Sequence, residues 1–218
     1  MVSVQRGRGV LGAMSIVNGG FVNHVVLFKV KPDLKPAMVS AMVGSLNSLS
    51  KLEGVVHLSM GAIHRIRSPL VFTHMLLSRY ASKEALQAYS DHPSHIAVVN
   101  DYVRPSCDDV MAVDWVCSGA SVDLSPGSSF RLKFLKLKDG VGEEGKIEAM
   151  DRLKCVDGHL SHGENFSPGR AKGYSLAVLS KLGEDKTVDP LNETALENLA
   201  GEIVVDYVVP SPSSSVSL

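Results

Sequence analysis

The sequence predicts an α+β protein made of two ferredoxin-like β-α-β-β-α-β repeats whose sheets pack together as an intramolecular, pseudo-dimeric α/β barrel. Three observations predict it. Strands of period two alternate with amphipathic helices over residues 22–117, a Ser- and Gly-rich interval follows at 118–129, and strand motifs then recur in the same order over 130–209. The 218 residues suffice for one large domain or two of about 100 residues each.

In "NHVVLFKVK" (23–31), His24, Val26, Phe28 and Val30 share one face of a strand, and that face is expected to point inward. Pro36 suits the first turn of a helix in which Val39, Met42, Val43, Leu46 and Leu49 recur at helical spacing, and Gly54 ends it. "VVHLSM" from Val55 and "LVFTHMLLSRY" from Leu70 read as two further strands, separated by a turn at Ser68-Pro69. Ser82 is placed to cap a second helix, "SKEALQAYSDH". Pro93 restarts a helix that aligns Ile96, Val99 and Val103, and "VMAVDWV" (110–116) closes the unit as a strand.

The second copy keeps the element order. "VLFKVK" (26–31) recurs as "KFLKLK" (133–138), "LLSRY" (76–80) as "VLSKL" (178–182), and "VDWV" (113–116) as "VDYV" (205–208). The stretch "GEDKTVDPLNETALENL" stands where the first copy carries Tyr89-x-x-His92-Pro93-x-His95, so that constellation occurs in the first copy alone. A sheet covered by helices on one side leaves an apolar face bare in water, and packing two such faces together removes the exposure. The expected result is a barrel enclosing a pocket.

Hydrophobic residues at 44%, charged residues at 21% and a net charge of −1 give no electrostatic footprint for nucleic acid. No apolar run is long enough to span a bilayer, so no membrane partner is expected. Cys107, Cys117 and Cys155 are scattered and form no metal-ligand spacing, which predicts a reducing compartment. Residues 1–21 read as a flexible leader containing Arg6 and Arg8, and 210–218 as a Ser- and Pro-rich disordered tail ending in Val-Ser-Leu. The expected location is the cytoplasm, with the plastid or the peroxisome as alternatives.

His24 opening the first strand, "THMLLSRY", "YSDHPSH" and the terminal Val-Asp-aromatic strand together resemble the stress-responsive dimeric A/B barrel family, in its plant tandem-domain form. The resemblance implies a role in stress response and in defence against fungal and bacterial pathogens. It extends distantly to olivetolic acid cyclase, which closes a polyketide ring by an intramolecular aldol step. On that similarity the catalytic tyrosine and histidine fall on Tyr89 and His95, and the pocket-lining strand histidines on His24 and His74. The second copy has Arg131 and Leu176 at the two strand positions, which implies at most one such pocket per chain. The family also implies a structural magnesium ion on backbone carbonyls where the first helix ends, here Leu49, Leu52 and Val55, though a turn at Gly54 capping those carbonyls is an equal alternative. No cofactor is required.

An imidazole can take a proton from a carbon beside a carbonyl, and a phenol can hydrogen-bond the enolate oxygen. Tyr89 and His95 suit those roles. His24, Val26, Phe28, His74, Leu76 and His92 are expected to line the pocket for a small apolar molecule. Two other readings stand beside this one: a helix junction using polar side chains as caps, and a filled barrel acting through its surface. Association of two chains into a further homodimer is compatible with each.

Overall fold

The computed structural model describes residues 20–119, 123–154, 161–182 and 198–211, with side chains left out at 118–119 and 152–154. Residues 1–19 of the leader, the tail beyond 211 and most of the stretch "GEDKTVDPLNETALENL" lie outside the described residues. The first copy forms β1 (Val22–Val30), α1 (Pro36–Ser48), β2 (Val55–Ala62), β3 (Arg65–Arg67), β4 (His74–Tyr80), α2 (Lys83–Asp91) and α3 (Pro93–Val98). A π-helical turn (Val99–Val103), the single turn α4 (Arg104–Ser106) and β5 (Cys107–Val116) complete it. After β6 (Ser118–Gly119) the second copy forms β7 (Ser129–Leu137), α5 (Glu143–Lys154), β8 (Ser161–Glu164), β9 (Leu176–Lys181) and β10 (Leu199–Val208).

Local chemistry explains the helix boundaries. Pro36 occupies the first turn of α1, where its missing N–H costs nothing, and Ser82 caps α2 by accepting the Ala85 N–H at 3.2 Å. Pro93 cannot continue α2, so the chain turns at His92 and restarts as α3. Gly54 adopts φ +82°, a left-handed conformation that favours glycine, between the first helix and β2. The third strand of the sheet begins at His74, later than the expected Leu70, and the three-residue β3 is too short to leave a periodic signal in the sequence.

The first sheet has the order β2-β4-β1-β5 and the second β3-β10-β7-β9-β8-β6, every pairing antiparallel. The sheets pack face to face. Val25, Leu27, Met75, Leu77, Met111, Val113 and Trp115 of the first copy share one buried cluster with Phe130, Leu132, Phe134, Ala177, Leu179, Ile203, Val205 and Tyr207 of the second. The two copies are also laced by backbone pairing. First-copy β3 is an edge strand of the second sheet, with Ile66 opposite Val205, and an isolated bridge joins Trp115 to Asn165.

Period two corrects one expectation. The face holding His24, Val26 and Phe28 does point inward, but into the layer beneath the helices, where Val26, Phe28 and Leu76 meet Met42, Leu46, Leu86 and Tyr89. Their alternating neighbours Val25 and Leu27 face the other sheet, and large side chains fill that space. The pocket therefore lies between the first sheet and its own helices, not between the sheets.

Truncating Leu132, fully buried in the shared cluster, to Ala is expected to cost about 2–5 kcal/mol in denaturant unfolding. Val71→Ala, at a side chain 68% exposed, is expected to cost within about 0.5 kcal/mol. Equal costs for the two would remove Leu132 from the shared core.

Candidate functional site

Strand register assembles the polar part of the site. On β1, His24 stands opposite Ser78 of β4 and Asp114 of β5. Its Nδ1–H donates to Asp114 Oδ1, while Ser78 Oγ donates to the His24 carbonyl at 3.2 Å. This fixes the ring and leaves Nε2 as the ring nitrogen that Asp114 does not engage. From the helix side, the Pro93 break returns the chain so that the His95 ring lies 4.7 Å from the Tyr89 ring, centroid to centroid. Tyr89 in turn lies 5.1 Å from Tyr80. His95 Nδ1–H donates to the Ser90 carbonyl at 2.9 Å, so its Nε2 is left as an acceptor.

These groups wall a cavity of about 720 Å³ lined by His24, Val26, Phe28, Leu76, Tyr89 and His95. Leu46, Val99, Val103, Arg104, Asp109 and Ala112 line it as well. Two predicted pocket residues lie elsewhere. His92 accepts the Ser94 N–H on Nδ1 at 3.1 Å and caps α3, so it belongs to the helix junction. His74 is outside the cavity wall, where its Nδ1 shares a 2.9 Å hydrogen bond with Thr73 Oγ1, because the cavity does not extend to that end of β4.

Burial sets the protonation states. It lowers His95 below the usual imidazole range, against the opposing effect of the Ser90 carbonyl, and so favours a neutral ring able to accept a proton. It pushes Tyr89 up to about 12, which keeps the phenol a donor. Burial alone would raise the Asp114 carboxyl, but the His24 hydrogen bond and charge, Ser167 and Arg170 together hold it below the usual carboxylate range.

Residues of the second copy complete the site. The Asp114 N–H donates to Asn165 Oδ1 at 3.0 Å, the Phe166 N–H to the Asp114 carbonyl at 2.9 Å, and Arg170 Nη2 to Asp114 Oδ2 at 3.0 Å. Asp114 has a signal in the sequence, as the acid of the repeated Val-Asp-aromatic motif. Arg170 has none, since it lies in an irregular loop with no periodicity.

The equivalent row in the second copy has other chemistry. Arg131 stands opposite Ser180 and Asp206, as His24 does opposite Ser78 and Asp114, and its Nε and Nη2 donate to the two Asp206 oxygens at 2.7 and 3.0 Å. A guanidinium stays charged at all working pH values, so that row cannot exchange a proton. Where α1 ends, the Leu49 carbonyl accepts the Leu52 N–H at 3.1 Å and the Leu52 carbonyl accepts the Val55 N–H at 3.3 Å. Among the described residues no group of three or more His, Cys, Asp or Glu is arranged to hold a metal, and Cys107 and Cys117 are free thiols.

The stability supplied by Asp114 is present above the ordinary carboxylate pKa and is lost as pH falls through its lowered folded value. Asp114→Asn is thus expected to lower stability at neutral pH and to flatten its decline on acidification, read by urea unfolding over a pH series. A wild-type acid slope in that variant would acquit Asp114 of any part in acid unfolding.

Residues 22–117 match the Stress responsive A/B Barrel Domain. A stress-response A/B barrel domain-containing protein of Arabidopsis thaliana is 41% identical over 90% of this chain and 82% of its own. A second protein of that description from the same plant is 41% identical over 88% of this chain and 98% of its own. The crystal structure of an anthrone oxidase-like protein covers 91% of this chain and 94% of its own with a TM-score of 0.57, at 10% identity, a likeness of fold alone. No helix among the described residues is long and apolar enough to cross a membrane. Matching the family's domain over its first copy and sharing two fifths of its residues with these plant proteins along most of its length, the chain belongs to the stress-responsive A/B barrel family.

Proposed function

We propose that this protein acts in stress response and pathogen defence by holding a small, mainly apolar molecule in the first-copy pocket. The observation that carries this reading is the cavity of about 720 Å³ under α1–α3, where an apolar wall of Val26, Phe28 and Leu76 meets polar groups that include His24, Tyr89 and His95. Its size falls within the range of small-molecule sites, about 300–1,000 Å³. Val26, Phe28 and Leu76 supply the burial that binds the ligand, and the polar groups orient it.

Mass spectrometry of small molecules retained by the purified native protein tests the reading. Retention by wild type and its loss in His95→Ala is the expected result. Retention indifferent to the substitution would take the pocket out of consideration.

The protonation states support a second reading, an acid/base reaction of the cyclase type. His95 Nε2 takes a proton from a carbon beside a carbonyl, and the Tyr89 O–H hydrogen-bonds the enolate oxygen that forms. The enolate carbon attacks a second carbonyl of the same molecule, forming the C–C bond, and the resulting alkoxide takes the proton back from the His95 imidazolium. Turnover of a linear polyketide-like substrate is expected to fall about 10²–10³-fold in Tyr89→Phe and about 10²–10⁴-fold in His95→Ala. Unchanged turnover in both would end the enzymatic reading and leave the binding one.

The backbone bonds accepted by the Leu49 and Leu52 carbonyls at the Gly54 turn favour a closed turn over a magnesium site on Leu49, Leu52 and Val55. A chelator is expected to leave the melting temperature unmoved. A fall of several degrees would restore the ion.

A further inference from the structure

The shortened second copy has no counterpart of Tyr89 or His95, yet its segment 165–172 is wrapped onto the first copy's site. Gly169, Arg170 and Lys172 line the pocket, the first two within a 3-10 turn at Pro168–Arg170. Asp114, 1% exposed, is held by His24 on one oxygen and by Arg170 on the other, so one buried carboxylate serves two basic side chains. Lys172 is committed elsewhere, to Asp109 at 2.8 Å. Arg104 lines the same pocket and has no ion-pair partner among the described residues. The remaining acid of the wall, Asp108, is solvent-exposed, where water and salt screen it. Among the described residues no internal carboxylate engages Arg104.

We infer that the first-copy pocket is a site for an amphipathic carboxylate, whose oxygens are bound by Arg170 of the second copy and Arg104 of the first, while Val26, Phe28 and Leu76 take its apolar body. This rests on the pocket reading above and adds the ligand class and the second-copy residue that sets it. A guanidinium has five N–H donors, of which Asp114 engages Nη2, so the others stay available to a planar anion. Arg170 is also anchored before any ligand arrives. Its side chain remains 57% exposed although it is tied to a carboxylate beneath it, and a donor already held in position loses little freedom on binding. A lysine has three donors but no planar fork, so it would hold an incoming carboxylate as a point charge, without the paired N–H geometry that a guanidinium offers.

Isothermal titration calorimetry with two matched pairs tests the inference: 2-naphthoate against 2-naphthylmethanol, and decanoate against 1-decanol. Wild type is expected to bind each acid at least tenfold more tightly than its alcohol. Arg170→Gln should remove most of the acids' advantage over the alcohols and leave the alcohols within twofold of wild type. Arg104→Gln, which has no internal partner to lose, should cause a smaller fall confined to the acids. If Arg170→Gln weakens acids and alcohols alike, the Arg104 variant decides: an acid-selective loss supports the carboxylate site, and no loss overturns it. Acids and alcohols bound equally by wild type would overturn the carboxylate site while the pocket stands. Failure of all four molecules to bind would overturn both readings together.

Discussion

A four-stranded sheet with helices on one side has a second apolar face that water does not tolerate, and this constraint organises the whole molecule. The chain meets it by folding a second sheet against the first, so that Leu27, Met75 and Trp115 share one core with Phe130, Phe134 and Tyr207. Large side chains of the shared cluster fill the space between the sheets, and the ligand-sized cavity lies on the helix side of the first sheet. There Tyr89 and His95, on either side of the α2–α3 break at Pro93, share the cavity wall with Val26 and Phe28 of β1.

Strand alternation lets β1 serve both purposes. Val25 and Leu27 stabilise the joint between the copies, while His24, Val26 and Phe28 build the site. The same row of three antiparallel strands is used twice in the chain with different outcomes. In the first copy a histidine stands between Ser78 and Asp114; in the second an arginine between Ser180 and Asp206 is a fixed ion pair. That single replacement gives the two rows different chemistry, and the second copy supports the first through Asp114.

That support is tertiary. The loop running from Asn165 to Arg170 binds Asp114 through backbone and side chain, and so restrains the carboxylate that orients His24. Burial then sets the remaining protonation states, with a neutral His95 and a protonated Tyr89 side by side.

The sequence by itself determined the repeat, the strand and helix order, the face on which His24 lies and the break that Pro93 makes. Each of these follows from periodicity, backbone restriction or direct self-similarity, all properties of neighbouring residues. Only the tertiary structure decided which apolar face meets the other sheet, that His74 and His92 stand outside the cavity, and that β3 pairs across the copies. It also decided that Arg170 reaches Asp114 from 56 residues away. These depend on distances between segments remote in the chain, and alternation fixes that a strand has two faces without naming what either one will touch.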